Sequence, residues 1–232
     1  MKTNTANNPT VKAIISHLNE MRLNENLDAS QREKYLAQYK MVSSNMRVGV
    51  VNHSEFKKYY PRTNGDGSGA TKVTHTHYHD ENGRHWEFSD IVVKRLKHNL
   101  LTFLGNQGIK EIEMWVKYHD TELADILCPI LKYFTSKSDK VTEMSETMLN
   151  NVVIVAQKAT DIGDIKSACK SAENRNRANG YNGTDAIDRE QEILRLVKKY
   201  NIHDVIGHGG NSGVVFDYSK GCYKAVLIDY GL

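Results

Sequence analysis

The sequence predicts an α+β chain in which two helices lead, a strand-rich middle follows, and a mainly helical segment with a closing β-hairpin comes last. Three observations carry this reading. Val11, Ile14, Ile15, Leu18 and Met21 recur at helical spacing near the start, strand-type runs dominate residues 41–160, and helical spacing returns between Asp161 and Tyr200. The 232 residues suffice for one large domain or two small ones. With 39% hydrophobic residues, 25% charged residues and only 3 prolines, the composition is that of a globular chain and excludes collagen-like and wholly disordered classes. A formal net charge of +3, from 31 basic against 28 acidic residues, is too small to demand nucleic acid or an anionic membrane as partner. Cys128, Cys169 and Cys222 are too scattered for a disulfide scaffold or for metal-site spacing, so a reducing cytoplasm is expected. The opening MKTNTANNPTVK has no apolar signal core, and no stretch approaches the roughly 18 apolar residues of a membrane span.

Taken in order, an Asn- and Thr-rich tail runs to the first helix, and Asp28 or Ser30 caps a second, SQREKYLAQYKM, with Tyr35, Leu36 and Tyr39 on its apolar side. These helices form an N-terminal extension over residues 1–40. From Met41 the texture becomes strand-like: RVGVV, the polar loop PRTNGDGSGAT, then a hairpin made of KVTHTHYH and a run ending in Ile91-Val92-Val93-Lys94, with its turn at Asp80-Glu81-Asn82-Gly83. Past Gly105 and Gly108, the spacing of Ile109, Ile112, Trp115, Val116, Leu123 and Leu127 fits one helix face, and Pro129 stops it. Residues 130–134 and 152–156 read as strands on either side of TSKSDKVTEMSET, which completes five strands and one helix within residues 41–160. Residues 161–232 then hold a polar helical segment to Asn179, an amphipathic helix at 185–200 carrying Ile187, Leu194 and Val197, a glycine-rich loop and the final hairpin.

The chemistry gathers in that last stretch, NIHDVIGHGGNSGVVFDYSKGCYKAVLIDYGL, where Asp204, Asn211 and Asp229 stand at the edges of short apolar strands. Asp229 follows Ala225-Val226-Leu227-Ile228 and precedes Tyr230-Gly231, so a strand delivers a carboxylate to its own mouth and a glycine lets the chain bend away. An Asp and an Asn on adjacent segments supply the incomplete oxygen shell that magnesium takes beside nucleotide phosphates. An Asp shortly before the Asn can orient or deprotonate an acceptor hydroxyl.

These residues resemble the protein-kinase-like fold, whose catalytic loop D-x-x-x-x-N is followed by a hairpin and an Asp-Phe-Gly-like turn. In flavour the chain looks most like the divergent kinase-like proteins encoded by bacteriophages. The resemblance implies a two-lobed molecule: a five-stranded antiparallel N-lobe plus one helix at 41–160, a truncated helical C-lobe at 161–232 and the N-terminal helical extension. It implies ATP and Mg2+ as cofactors, with Lys94 on the α/β phosphates, Glu111 or its neighbour Glu113 fixing Lys94, and Asn211 with Asp229 on the metal. Asp204 would position the acceptor, and Gln157 would lie in the hinge that holds adenine. The stretch matching the nucleotide loop, from Met41 to Gly49, places Ser43, Ser44 and Asn45 where the family has glycines. Seven steps separate Asp204 from Asn211 where the family has five, which makes His208 the neighbour to watch, and the chain closes three residues after Asp229. The expected activity is phosphoryl transfer to a serine or threonine hydroxyl of a protein, in the host cytoplasm if the chain is viral. The alternative is a pseudokinase that binds and inhibits a host enzyme or defence complex.

Other features read as structural. His75, His77 and His79 alternate on one strand with His85 across the turn, a pattern that suits either the wet face of a hairpin or a zinc or nickel site, which would make the chain a metal-dependent hydrolase. The loop Gly65-Asp66-Gly67-Ser68-Gly69 reads as a flexible linker rather than a phosphate nest, and Lys94, Arg95, Lys97 and His98 as a solvated edge rather than a nucleic-acid footprint.

Overall fold

Asn8 and Pro9 start the first helix: the Asn8 side chain accepts hydrogen bonds from the N–H groups of Thr10 and Val11, and Pro9, with no N–H to satisfy, takes the first turn. In the computed structural model this helix, α1 (Pro9–Leu23), buries Val11, Ile14 and Leu18, the stripe its spacing predicts. The structure describes residues 7–43, 67–68, 72–79, 85–96, 107–134, 153–202 and 209–230. Asp28 rather than Ser30 caps α2 (Ala29–Ser43). Asp28 Oδ1 accepts from the Gln31 N–H at 2.8 Å and Gln31 Oε1 accepts from the Asp28 N–H at 3.2 Å, a reciprocal capping box.

The buried side of α2 is Ala37, Gln38, Met41 and Val42, whereas Tyr35, Leu36 and Tyr39 are half-buried. The helix turns that way because Gln38 is hydrogen-bonded into the body of the protein at Asp90 and Ile91. Met41 and Val42 carry the buried face one turn further than expected. The stretch from Met41 to Ser43, expected to open a nucleotide loop, is therefore the last turn of a helix. Ser44, Asn45 and the RVGVV run lie outside the described residues.

The strands form a five-stranded sheet in the order β1-β2-β5-β7-β6, a three-stranded sheet β10-β9-β8 and a two-stranded ribbon β3-β4. These are β1 (Gly67–Ser68), β2 (Lys72–His75), β3 (His77–His79), β4 (His85–Glu87), β5 (Ile91–Leu96), β6 (Ile130–Phe134), β7 (Val153–Gln157), β8 (Thr160–Gly163), β9 (Ser212–Asp217) and β10 (Cys222–Leu227). All pairings in them are antiparallel. The expected hairpin is present but split at Thr76 and Phe88: β2 pairs with β5 in the large sheet, and β3 pairs with β4 beyond it. Gly67 and Ser68, read from sequence as linker, pair with Thr74 and Val73 and occupy the sheet edge. Among the described residues five strands thus form the large sheet, with β1 at one edge.

The helix between β5 and β6, α3 (Gln107–Tyr118), buries Glu111, Ile112 and Trp115. Leu123 and Leu127 are fully buried but do not continue it, because the chain leaves α3 for a 3-10 turn at Glu122–Asp125. That departure lets Ile126–Cys128 join the end of β10. The Leu227 N–H donates to Ile126 O at 2.7 Å and the Cys128 N–H donates to Leu227 O at 2.8 Å, with a parallel bridge between Leu127 and Leu227.

Residues 161–163, expected to begin the helical segment, belong instead to β8, which pairs with β9 at Val214 and Ser212. Close approach here requires Gly213, where a Cβ would stand 3.0 Å from Ala159 Cβ and 3.1 Å from the Thr160 carbonyl oxygen. Two helices cover this sheet. Asp164 caps α4 (Ile165–Asn179), which packs on β8, β9 and β10, and Asp185 caps α5 (Ala186–Lys199), which packs on α4.

The buried side of α5 is Ile193, Leu196 and Val197 together with Arg189, while Ile187 and Leu194, expected in its apolar stripe, are 65% and 38% exposed. The guanidinium of Arg189 sets that rotation: it donates to Asp125 O and Ala225 O, both at 2.8 Å, and pairs with the Asp125 carboxylate. Lys220 and Lys224 reach the same carboxylate at 2.9 and 3.3 Å. No helix among the described residues is long and apolar enough to cross a membrane.

Burial alone would raise the Asp125 carboxyl's pKa, but Lys224 and Arg189, with Lys220, outweigh it and hold it well below the usual carboxylate range. A depressed folded-state pKa gives stability that is present above the unfolded value and is lost as pH falls toward the folded one. Asp125→Asn should therefore lower the unfolding midpoint at pH 7, yet lose less of what remains than the wild type as pH falls below about 4. Thermal melts of both proteins over that range check this.

Candidate functional site

Lys94 lies on β5, the central strand of the large sheet, in register with Thr74 on one side and Ile154 on the other, and is 6% exposed. A buried ammonium is costly unless its three N–H donors find acceptors. Lys94 Nζ finds three: Glu111 Oε1 at 2.6 Å, the Ile228 carbonyl at 2.9 Å and Asp229 Oδ1 at 3.4 Å. Burial by itself would lower the Lys94 pKa, but Glu111 and Asp229 overturn that and the net shift is upward, so the side chain stays charged. Glu111 reaches Lys94 from α3 and is fully buried, one turn before Trp115 on the same face. Glu113, two residues on, is half-buried and points away, which settles the choice between the two acids.

Asp229 is set by its neighbours. Leu227 is pinned to Ile126 and Cys128, the Ile228 N–H donates to Asn211 O at 2.9 Å, and the fully buried Tyr230 donates its hydroxyl to Cys128 O at 3.0 Å. Between these anchors the Asp229 side chain keeps 33% exposure, while that of Glu111 keeps 1%. Asn211, just before β9, therefore meets Asp229 through the intervening Ile228. Its Nδ2 is buried and has no hydrogen-bond partner among the described residues. Gln157, at the end of β7, donates Nε2 to the Phe216 carbonyl at 2.7 Å, and its Oε1 is likewise buried without a partner.

Among the described residues one lysine is set against two carboxylates, and the oxygens of Asp229 and of the Asn211 amide are of the type that could hold a hard divalent cation. Of the residues singled out in the sequence, Lys94, Glu111 and Asp229 are in direct contact, Asn211 is tied to Ile228 beside them, and Gln157 lies apart, in register with Ile91 and bonded to Phe216 toward the turn end of the β9–β10 hairpin. Asp204, His208, Ser44 and Asn45 lie outside the described residues, and Ser43 closes α2.

The histidine strand does not act as one face. His75 is 1% exposed in the large sheet and His77 is half-buried in the ribbon beyond the break at Thr76. Among the described residues no three metal-ligating side chains gather. Cys128, Tyr230 and Gln38 escaped the sequence reading. Tyr230 carried a signal, as an aromatic directly after Asp229. Cys128, beside Pro129, looked only like a helix end. Comparison with protein-family models, with curated proteins and with solved structures gives no match.

Removing one partner of a buried ion pair leaves the other uncompensated, so Lys94→Met should destabilise the fold by about 3–5 kcal/mol. The double variant Lys94→Met, Glu111→Leu should recover most of that loss, and Glu113→Gln should stay within about 0.5 kcal/mol of wild type. Urea denaturation of the four proteins measures all three.

Proposed function

We propose that the chain binds a magnesium nucleotide at the seam between its two sheets and transfers the terminal phosphoryl group to a serine or threonine hydroxyl of a protein, as a divergent kinase-like enzyme. One observation carries the reading. Lys94 joins Glu111 on α3 to Asp229 at the mouth of β10, three groups that the kinase resemblance names independently of their geometry. The strand order β1-β2-β5-β7-β6, with α3 inserted between β5 and β6, supports the N-lobe assignment.

In this reading Glu111 fixes the ammonium, and a phosphate oxygen replaces Asp229 at 3.4 Å, the longest of the three Lys94 contacts. Asp229 and Asn211 hold the metal, whose chemistry is neutralisation of charge on the phosphates. Asp204 orients the acceptor hydroxyl, and the connection after Gln157 borders the adenine.

A second reading, a kinase-like protein that binds and inhibits a host factor without catalysis, draws on a different observation. The Met41 to Ser43 stretch is a helical turn with Met41 and Val42 buried, so it supplies no glycine-type backbone for phosphates.

The test is thermal unfolding with and without Mg-ATP beside Asp229→Asn. A ligand at a hundredfold excess over its dissociation constant stabilises by about 2.7 kcal/mol, which moves the midpoint by several degrees. The enzymatic reading expects that shift in the wild type, its loss in the variant, and label from γ-labelled ATP on a protein acceptor. A shift without transfer removes catalysis, and no shift removes the nucleotide role altogether and leaves the second reading.

A further inference from the structure

Several distant segments converge on Asp90, four residues before Lys94 in the chain. Gln38, fully buried on α2, accepts the N–H groups of Asp90 at 2.9 Å and Ile91 at 3.3 Å through Oε1. Its Nε2 donates to Ser89 Oγ at 3.0 Å and to Asp90 Oδ2 at 3.1 Å, so all four bonds of the amide go to the three residues that lead into and begin β5. The other carboxylate oxygen of Asp90 accepts the Tyr218 hydroxyl at 2.9 Å, from the turn between β9 and β10. His17 of α1 stacks on the Tyr218 ring with centroids 4.2 Å apart, and its Nε2 lies 3.7 Å from that same oxygen. The Asp90 carbonyl accepts the Lys158 N–H at 2.8 Å, just past β7.

A carboxylate that only starts a strand or turn takes its partners from its own neighbourhood, as Asp28 does with Gln31. Asp90 takes one partner, the Ser89 hydroxyl, from the adjacent residue and the others from residues 52 and 128 positions away. Burial would raise its pKa, but the nearby His17 imidazole and the hydrogen bonds from Ser89 and Tyr218 prevail and hold it below the ordinary value, so the carboxylate stays charged between them.

The geometry places this hub opposite the catalytic-type contacts. At the far end of β10, Lys94 is bonded to Ile228 and Asp229; at the turn end of the same hairpin, Tyr218 is bonded to Asp90. Strand β5 and the β9–β10 hairpin are therefore fastened at two points, and the second is held in place by the N-terminal helices. We propose that Asp90 is a positioning residue that fixes the separation of β5 from this hairpin, and that α1 and α2, acting through His17 and Gln38, set how tightly the seam closes on its ligand. The part that concerns the ligand rests on the nucleotide reading above; the mechanical coupling does not.

Tyr218→Phe keeps the ring against His17 and removes only the hydroxyl, and Gln38→Leu removes the four bonds from α2. Hydrogen exchange of the full-length proteins tests the coupling without any ligand. The expected result in Tyr218→Phe is exchange about tenfold faster at amides of both β5 and β10, with α4 and α5 unchanged. Faster exchange confined to the turn at residues 218–221, or a uniform rise in every slow amide, would reduce Tyr218 to a local or merely structural role and overturn the proposal. Gln38→Leu should repeat the Tyr218→Phe pattern, and an unchanged β10 in that variant would also overturn it.

Mg-ATP titration then separates the two claims. Weaker binding in Tyr218→Phe by about three- to tenfold at an almost unchanged unfolding midpoint supports the positioning role at the ligand. Equal affinity in variant and wild type overturns the control of affinity. Absence of binding in the wild type overturns the nucleotide reading and with it that control, while the exchange pattern still decides the coupling.

Discussion

A buried ammonium has to be surrounded by acceptors, and the structure depends on how Lys94 meets that demand. Its three partners come from α3 and from the end of β10, segments separated from it by 17, 134 and 135 residues. The lysine consequently decides which face α3 turns inward and where the last strand stops. Because the desolvation of Lys94 and Glu111 is offset by their pairing and by the other acceptors around the ammonium, the site is a point where the fold and the proposed chemistry are hard to alter separately. The same constraint explains why Leu227, Ile228 and Tyr230 are each tied down by a backbone or hydroxyl hydrogen bond: a strand end that wandered would leave the ammonium short of acceptors.

The elements were legible where one local rule dominates. The α1 stripe, a cap at Asp28 or Ser30 and the existence of the hairpin follow from spacing, capping and alternation, and the structure has them, with Asp28 as the cap. Residues whose role is set by a partner far along the chain were read less well. Ile187 and Leu194 looked like the core side of α5, but the Arg189 guanidinium reaches Asp125 and turns them outward. Leu123 and Leu127 fit a continued α3 by spacing, and the chain leaves the helix there so that Cys128 can pair with Leu227. Gln38 was invisible for the same reason: a polar residue in a helix reads as solvated until its partners, 51 to 53 residues away, are known. In the site, Asn211 and Asp229 stood out because strand-edge positions are local properties, whereas Lys94, inside β5, and Glu111, in the second turn of α3, were singled out only by the kinase resemblance. The choice of Glu111 over Glu113 needed the helix phase, which α3's contact with β5 supplies.

The two fastenings of the β9–β10 hairpin have different chemistry. The one at Ile228 and Asp229 is ionic and contains the group that would hold a metal; the one at Tyr218 and Asp90 is a hydroxyl-to-carboxylate bond backed by a fully buried amide. A ligand at the seam competes for the first and leaves the second untouched. This division gives the N-terminal helices a role in a site they do not line.

If Lys94, Glu111 and Asp229 form the proposed nucleotide site, its two carboxylates call for a metal beside the phosphates. The most direct measurement is calorimetric titration of the wild type with ATP in magnesium and again in chelator. Two carboxylates facing a polyanionic phosphate chain repel it unless a divalent cation lies between them, so binding in magnesium should be at least about tenfold tighter. Equal affinity in the two conditions, or no heat in either, would contradict the account.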